Sequence, residues 1–112
     1  MKTDRELLEL AAKAAGIAVI PYTWNKGTGW DHEGFTLAGE GPYEWNPIED
    51  DGDALRLAVK LNLNIFSVGR YAYAMESESN GDDEQKVDHA NDPYAATRRA
   101  IVRAAAEIGG AA

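Results

Sequence analysis

Three aspartates near the middle of the chain have the residue type and close spacing of a metal-binding loop: Asp50, Asp51 and Asp53. Carboxylate oxygens are the ligands that calcium and magnesium prefer. A regular calcium loop would continue with oxygen ligands where Leu55 and Leu57 stand, so the spacing does not fit. The same aspartates suit a helix start, because they can accept hydrogen bonds from the free amides of the first turn. We therefore predict a helix entrance here and no bound metal.

Few residues of the chain suit catalysis. His32, with Asp31 and Glu33 beside it, could bind a divalent metal, but both this histidine and His89 stand in loop-like sequence. No serine or lysine lies in a recognisable nucleophile motif. The chain has no cysteine, which excludes thiol catalysis, zinc–thiolate sites and disulfides. We predict that the protein is not an enzyme and that it uses no cofactor.

The tryptophans offer chemistry for ligand binding. A glycine-rich segment, residues 21–46, contains Trp24, Trp30 and Trp45. Aromatic side chains on such a loop can provide flat stacking surfaces for a ligand. The alternative is that they cover the end of a small core, since aromatic residues dominate burial in small domains. All three tryptophans are candidate ligand-binding residues.

A positive cluster in the last part of the chain complements the tryptophans. Arg98, Arg99 and Arg103 stand close together in an otherwise acidic sequence. Guanidinium groups pair well with phosphates and carboxylates, so these arginines could hold a small anionic ligand whose base stacks on the tryptophans. The hypothesis requires the two groups to meet in space. The alternative is that the arginines pair with the chain's own carboxylates.

Start and stop signals predict a helix at each end of the chain. The first spans residues 3–15, because Thr3 and Glu6 have the spacing of a capping box and Gly16 suits a left-handed C-terminal cap. The last spans residues 91–108. Asp92 is its predicted cap, Pro93 fills its first position, and Gly109–Gly110 is expected to end it.

The third predicted helix is central and begins near residue 50. Its apolar face contains Ala54, Leu57 and Ala58, and Leu55 and Val59 widen it so that little of the surface remains for water. A helix that is apolar around most of its circumference needs cover on several sides. We therefore expect it to pack against a sheet.

Short strands are predicted between the helices. Residues 63–75 alternate in polarity with a slip at Phe66, which predicts two strands of a hairpin with a bulge or a turn at Gly69. Segments 25–27 and 31–34 have turn-forming sequence, and the acidic segment 76–86 is typical of an exposed loop. The remaining strands or strand leads are predicted at residues 17–20, 23–24, 34–38 and 87–89.

The length and the net charge of the chain limit the functions to be expected. The 112 residues predict one domain over residues 1–112, and the net charge of −8 disfavours binding to nucleic acid or to an anionic membrane. An acidic surface that keeps a small domain in solution is the simple interpretation. The alternative is a protein that imitates nucleic acid with its carboxylates. No apolar run approaches the roughly 20 residues that span a bilayer, and the N-terminus lacks the pattern of a secretory signal.

Three separated stretches carry a resemblance to a known family. They are LLELAAKAAGI at residues 7–17, WNPIEDDGDALRLAVKL at 45–61 and DPYAATRRAIVRAAAEIG at 92–109. In this order they resemble the phage ABA sandwich domain family, which consists of small proteins of tailed phages and prophages. The resemblance implies an α+β fold, a three-layer α/β/α sandwich with a small, mainly antiparallel sheet and about three helices. It implies a phage setting but no reaction, because the family has no established activity.

These observations favour a phage-encoded, non-enzymatic binding module that acts in the host cytoplasm. Its expected partner is a host protein, such as a component of host defence, or a small anionic ligand, with no direct nucleic-acid or membrane binding. The alternatives are an acidic nucleic-acid mimic that blocks a host complex and a phage structural or accessory protein. The oligomeric state stays open, and a homodimer is one option.

Overall fold

The described part of the chain, residues 2–25, 31–37, 44–76 and 84–111 of a computed structural model, contains three helices and six strands. In chain order these are α1 (Asp4–Ala15), β1 (Val19–Asn25), β2 (Asp31–Leu37), β3 (Glu44–Trp45), α2 (Asp51–Lys60), β4 (Leu63–Val68), β5 (Tyr71–Glu76), β6 (Gln85–Asp88) and α3 (Pro93–Ala111). The strands form two antiparallel sheets, β1-β2-β3, called sheet A, and β4-β5-β6, called sheet B. The α+β class and the three helices of a small sandwich-like fold are confirmed.

Helix α1 begins and ends where its sequence signals predict. The Thr3 hydroxyl accepts a hydrogen bond from the Glu6 amide at 3.2 Å, and the Glu6 carboxylate accepts one from the Thr3 amide. Gly16 follows the helix with φ of 67°, the left-handed conformation that glycine adopts at little cost. The buried face of α1, with Leu7, Leu8, Ala11, Ala12 and Ala15, points to the core.

Helix α2 starts as predicted but is less covered than predicted. Asp50 is its N-cap and accepts a hydrogen bond from the Asp53 amide at 2.8 Å. Leu57 is buried, whereas Leu55 is 61% exposed and Val59 is 70% exposed, so the prediction of a helix with little free surface is wrong. The physical reason is that α2 packs mainly against α3, with β4 as its second neighbour, and these cover one stripe of the helix. The expected sheet contact exists, but a helix provides most of the cover.

Helix α3 runs past the two glycines that were expected to end it. The Asp92 carboxylate caps its first turn by accepting hydrogen bonds from the amides of Tyr94 and Ala95, as predicted. The helix then continues to Ala111, so the predicted stop at Gly109 is wrong. A Cβ at Gly109 would collide with the backbone carbonyl of Leu10, which shows that this glycine permits close packing of α3 against α1.

Sheet A is longer in its first two strands than the sequence predicts. Strand β1 continues through Pro21, whose partner in β2 is Phe35, and the pairing extends to Asn25 with Asp31. The predicted turn at residues 31–34 is therefore wrong, because pairing along the whole of β1 holds this polar segment in a strand. Pro21 is tolerated because β1 is an edge strand of this sheet. The expected turn at 25–27 lies largely outside the described residues.

Sheet B follows the predicted hairpin. Strands β4 and β5 pair in a register that sets Phe66 opposite Tyr73, and Gly69 forms the turn between them with φ of 62°. Strand β6 adds the predicted return, displaced by a few residues from 87–89. The acidic segment expected to be a loop has residues 77–83 outside the described part of the chain.

Helix α3 is the centre of the fold, since it contacts α1, α2 and every strand of sheet B. Most of its buried side chains are small, and Ala100, Val102 and Ala105 are fully inaccessible to solvent. Small residues let backbones approach closely and so build a core with few large side chains. Among the described residues, no helix has the length and apolarity to cross a membrane.

Candidate functional site

Trp45, the described tryptophan side chain of the three candidates, belongs to the core. Strand β3 pairs it with Phe35 of β2, and Trp45 is only 3% exposed. This geometry favours core cover over an open stacking surface for Trp45. The side chain of Trp24 and the whole of Trp30 lie outside the described residues, so their assignment as ligand-binding residues stays a prediction.

The three central aspartates hold the structure around Trp45. Asp53 is buried, and its carboxylate accepts hydrogen bonds from the amide of Asn46 at 2.9 Å and from Arg56 at 2.7 Å. The Asn46 side chain in turn accepts from the amide of Ile48 at 3.1 Å. These bonds join the end of β3 to the first turn of α2. The aspartates therefore act as helix caps and anchors, as the spacing predicts.

Arg98 fastens α3 to the start of α2. Its Nε donates to the carbonyl of Ile48 at 2.8 Å, and its Nη1 donates to Asp51 at 2.6 Å. The guanidinium side chain is mostly buried by these contacts. Arg98 thus pairs with the chain's own carboxylate, which is the alternative considered for the positive cluster.

Arg99 fastens α3 to α1 in the same way. Its two terminal nitrogens donate to the two carboxylate oxygens of Asp4 at 2.9 and 3.3 Å. The hydrogen bond from Arg99 holds the pKa of Asp4 below its ordinary value, although burial opposes this effect, and the field of Arg103 adds to it. The same pair raises the pKa of Arg99. Asp4 and Arg99 therefore stay charged at neutral pH and keep their fork-shaped contact.

The arginines and Trp45 do not share a site. Arg99 and Arg103 line a groove of about 390 Å³ with Lys2 and Gln85, whereas Trp45 lines a separate groove of about 900 Å³. Arg103 is partly buried there and, among the described residues, forms no salt bridge. The expected combination of stacking by Trp45 and phosphate pairing by these arginines is not assembled by the described side chains. An anion at Arg103 alone stays a prediction.

A different surface, the outer face of sheet B, carries aromatic and apolar side chains that are exposed or half-buried. Residues that pair directly across strands share a face, so the register places one set away from α3. We call its aromatic and apolar members the aromatic face; they are Phe66, Val68, Tyr71, Tyr73 and Met75, and the polar residues Asn64, Lys86 and Asp88 share the same side of the sheet. The opposite face packs on α3 through Ala72 and Ala74, which are fully buried. The inner side of the sheet thus presents the two alanines of β5 to α3, and Leu63, Ile65 and Val87 of the neighbouring strands pack against the core on the same side.

The rings of the aromatic face contact one another. Phe66 and Tyr73 stack with centroids 4.8 Å apart and planes 16° apart, and Tyr71 lies tilted at 6.4 Å from Tyr73. Phe66 is 41% exposed and Val68 is 61% exposed, although both are large hydrophobic residues. Exposed hydrophobic side chains that lie next to one another, and are not merely scattered, mark interaction surfaces.

Charged side chains lie on and beside the aromatic face, and Lys86 of β6 pairs directly with Tyr73. The Lys86 ammonium group lies 4.1 Å from the centre of the Tyr71 ring, and the Arg70 guanidinium group lies 5.8 Å from it. Arg70 also donates two hydrogen bonds to Asp88 at 2.7 and 3.1 Å. The amide of Ala90 donates to the same carboxylate and is the main reason that the pKa of Asp88 is lowered.

The aromatic face was not predicted from the sequence, because identifying it requires knowing to which side of the sheet each side chain points. The alternation of residues 63–75 predicts the strands but gives no reason to put tyrosines outside and alanines inside. The available signal is the alanine content of the last helix, since a helix of small residues packs closely on a strand that also presents small residues. Ala72 and Ala74 meet that condition, which leaves Tyr71 and Tyr73 on the other side.

A serine–histidine pair lies at one corner of sheet B. The Ser67 hydroxyl and His89 Nε2 are 2.8 Å apart, the arrangement of a nucleophile beside a base. A catalytic pair also needs a group that orients the histidine and donors that stabilise an oxyanion. In the described part of the chain no carboxylate bonds to His89, because the neighbouring Asp88 is held by Arg70 and the Ala90 amide. The carboxylate that would orient a catalytic histidine is therefore missing from the described residues around the pair.

Comparisons of the chain with protein-family models, with curated proteins and with solved structures found no match. The resemblance to the phage ABA sandwich domain family accordingly stays a prediction.

Proposed function

We propose that the chain is a phage-encoded, non-enzymatic binding module that captures a host protein in the host cytoplasm through the aromatic face of sheet B. The phage setting comes from the resemblance of three sequence stretches. The binding surface comes from a single observation, the exposure of Phe66 and Val68 next to Tyr71 and Tyr73 on a sheet face that α3 does not cover.

The composition of the aromatic face supports a protein partner. The cores of protein interfaces are enriched in tyrosine, phenylalanine, methionine and arginine, and a few such residues supply most of the binding energy. The face contains three aromatic rings and Met75, and Arg70 stands at its border. Sheet strands also hold these side chains in fixed positions, which lowers the entropy lost on binding.

The shape of the aromatic face disfavours a small ligand as its main partner. Small molecules bind in concave sites that bury most of their surface, whereas this face is the outside of a three-stranded sheet. Phe66 and Tyr73 cover one ring face of each other by stacking, which removes flat surface that a base would use. A protein can instead pack side chains around the exposed ring edges.

The proposal of a non-enzymatic role is supported by the way the polar residues are used. The three central aspartates act in capping and anchoring bonds, and Arg98 and Arg99 join helices. Ser67 and His89 form a hydrogen-bonded pair, and no carboxylate of the described residues bonds to His89 to orient it. The acidic nucleic-acid mimic and the structural phage protein stay alternatives.

An affinity capture from host lysate tests the proposed function. The immobilised chain is compared with Phe66→Ser/Tyr73→Ser, which removes two rings of the aromatic face. The matched control is Leu55→Ser/Val59→Ser, which removes two exposed apolar side chains from α2. We expect a host protein to bind the wild type and the control and to be lost with the aromatic-face variant. Capture that is the same for all three chains would exclude the aromatic face as the binding surface.

A further inference from the structure

Strand β4 differs from the other strands at the edges of the two described sheets. The edge strands are β1 and β3 of sheet A and β4 and β6 of sheet B. Proteins protect such edges with proline, with charged side chains or by keeping the strand short. Strand β1 contains Pro21, β3 has two residues, and β6 has four, with Lys86 and Asp88 among them. Strand β4 has six residues, Leu63–Val68, and contains neither proline nor a charged side chain.

The backbone groups of β4 that point away from β5 follow from the hydrogen bonds of the sheet. The carbonyl of Arg70 accepts a bond from the amide of His89 at 2.7 Å, on the β6 side. Because backbone groups point alternately to the two sides of an antiparallel strand, Tyr71 turns its groups toward β4, where its partner is Val68. The same alternation along β4 directs the groups of every second residue outward. These residues are Leu63, Ile65 and Ser67.

The outward backbone groups are left open by the described residues. Strand β4 has β5 as its one strand neighbour in this part of the chain, and no described residue outside the sheet bonds to the backbone of Leu63, Ile65 or Ser67. Ser67 and the neighbouring Phe66 and Val68 are exposed, so solvent reaches this edge. Each outward residue offers one N–H donor and one C=O acceptor. Alternating donors and acceptors of this kind match the backbone of one more extended strand.

We propose that an extended segment of the captured protein pairs with β4 and adds a fourth strand to sheet B. This inference rests on the proposed function and states how the partner is held. Backbone hydrogen bonds to Ile65 and Ser67 fix the added strand. Its side chains alternate between the two sides of the sheet, and those on the outer side lie beside Phe66 and Val68. The added strand therefore continues the aromatic face.

The open edge favours an extended segment of another protein over other occupants. A helix uses its backbone groups internally and offers none along its side to β4. A second copy of the chain presents the same edge, but two copies repel each other through their net charges of −8.

Amide hydrogen exchange of the free chain, measured by NMR at several protein concentrations, tests whether the edge is open. We expect the amides of Ile65 and Ser67 to exchange at least about 100-fold faster than those of Phe66 and Val68, which bond to β5. Equal protection of the two sets would show that the edge is covered and would overturn the inference. Protection of Ile65 and Ser67 that rises with concentration would do so as well, because the occupant would be a second copy.

A proline in β4 tests strand addition directly. Short random peptides displayed on yeast are sorted for binding to the wild-type chain, and the enriched peptides are synthesised. Ser67→Pro removes an outward N–H without removing a bond to β5, so we expect it to weaken peptide binding about tenfold or more. The matched control, Ser67→Ala, loses the same hydroxyl but keeps the N–H and should change the affinity by less than about twofold. Circular dichroism checks that both variants are folded.

Methylation of the peptide backbone gives a second readout that uses only the wild-type chain. The amides of an added strand point alternately toward β4 and toward solvent. We expect N-methyl groups on the set that faces β4 to abolish binding, and N-methyl groups on the other set to change the affinity by less than about threefold. A peptide bound as a helix or through its side chains alone would not distinguish the two sets in this way.

Two results of the peptide experiments would overturn the inference. They are the absence of any peptide that Ser67→Pro weakens and an equal effect of methylation on the two sets of amides. A host protein that is lost with Phe66→Ser/Tyr73→Ser but is captured equally by Ser67→Pro and Ser67→Ala would contradict strand addition and leave the proposed function intact. A capture that ignores the aromatic face contradicts the proposed function itself.

Discussion

At the scale of single residues, the polar side chains that first suggest chemistry are used to join elements. Asp53 is the clearest case, because its buried carboxylate binds the amide of Asn46 and the guanidinium of Arg56. Removing a buried acceptor leaves its donors without partners, which costs more than the bond itself contributes. The density of charge around residue 50 thus reflects a connection between β3 and α2.

Substitution of Asp53 should destabilise the fold. We expect Asp53→Ala to lower the free energy of unfolding by about 2–3 kcal/mol, because the amide of Asn46 loses its acceptor in a buried setting. Asp51→Ala, which removes a more exposed partner of Arg98, should cost about 1 kcal/mol. Urea denaturation of both variants measures these values. Equal losses would contradict the anchoring role of Asp53.

The Asp4–Arg99 pair should make stability depend on pH. Because the pKa of Asp4 is lower in the folded chain than its ordinary value near 3.8, its contribution is present above that value and is lost as the pH falls through the folded-state pKa. Asp4→Asn should reduce stability at pH 7 by less than about 1 kcal/mol, since the carboxylate is largely exposed.

At pH 3 the difference between Asp4→Asn and the wild type should become smaller. Arg99→Gln should give a similar loss at pH 7, and the double variant should lose little more than either single one. Urea midpoints at the two pH values provide the measurement. Fully additive losses would show that the two side chains do not act as a pair.

At the scale of elements, the two glycines near the end of α3 have different roles. Gly109 lies against the Leu10 carbonyl of α1, whereas a Cβ at Gly110 would meet nothing within 4 Å. Gly109→Ala should therefore cost about 1–3 kcal/mol through overpacking between the helices. Gly110→Ala should be neutral or stabilise the helix by up to about 1 kcal/mol, because alanine is the better helix former.

Thermal unfolding of the two alanine variants tests this difference. The pair is matched, since both substitutions add one methyl group to adjacent positions of α3. A stabilised Gly109→Ala variant would show that α1 and α3 do not approach as closely at Leu10 as the fold requires.

Local signals in the sequence predict the start of each helix and the turn of the second hairpin. The box at Thr3, the cap at Asp50 and the turn at Gly69 depend on neighbouring residues only. The predictions that are wrong concern residues whose structure depends on contacts with residues distant in the sequence. Gly109 does not end α3 because α1 lies against it, and the polar residues from Asp31 join β2 because β1 pairs with them.

The candidate site could be predicted only in part for the same reason. Sequence identifies the aromatic and charged residue types but not which of them point outward. Trp45 lies in a segment whose composition suits a ligand platform, but its side chain is buried and its strand partner is Phe35. Tyr73 is one of two tyrosines in an ordinary strand pattern, yet it lies on the aromatic face. The deciding fact is which side of sheet B meets α3.

At the scale of the whole molecule, α3 organises the core, and among the described residues the outer face of sheet B is left uncovered. Helix α3 contacts α1, α2 and sheet B, and its small side chains keep these elements close. The aromatic face lies on the far side of sheet B from α3, so residues there can change without disturbing the core. This separation of stability from binding is what a binding module requires.

The central claim is that the aromatic face is the contact surface for a captured host protein. The most direct measurement is the dissociation constant of the purified partner, by calorimetry, for the wild type and the two double variants. We predict that Phe66→Ser/Tyr73→Ser weakens binding by about 30-fold or more, which corresponds to about 2 kcal/mol, while Leu55→Ser/Val59→Ser changes it by less than about threefold. Unchanged affinity for a folded Phe66→Ser/Tyr73→Ser variant would contradict the claim.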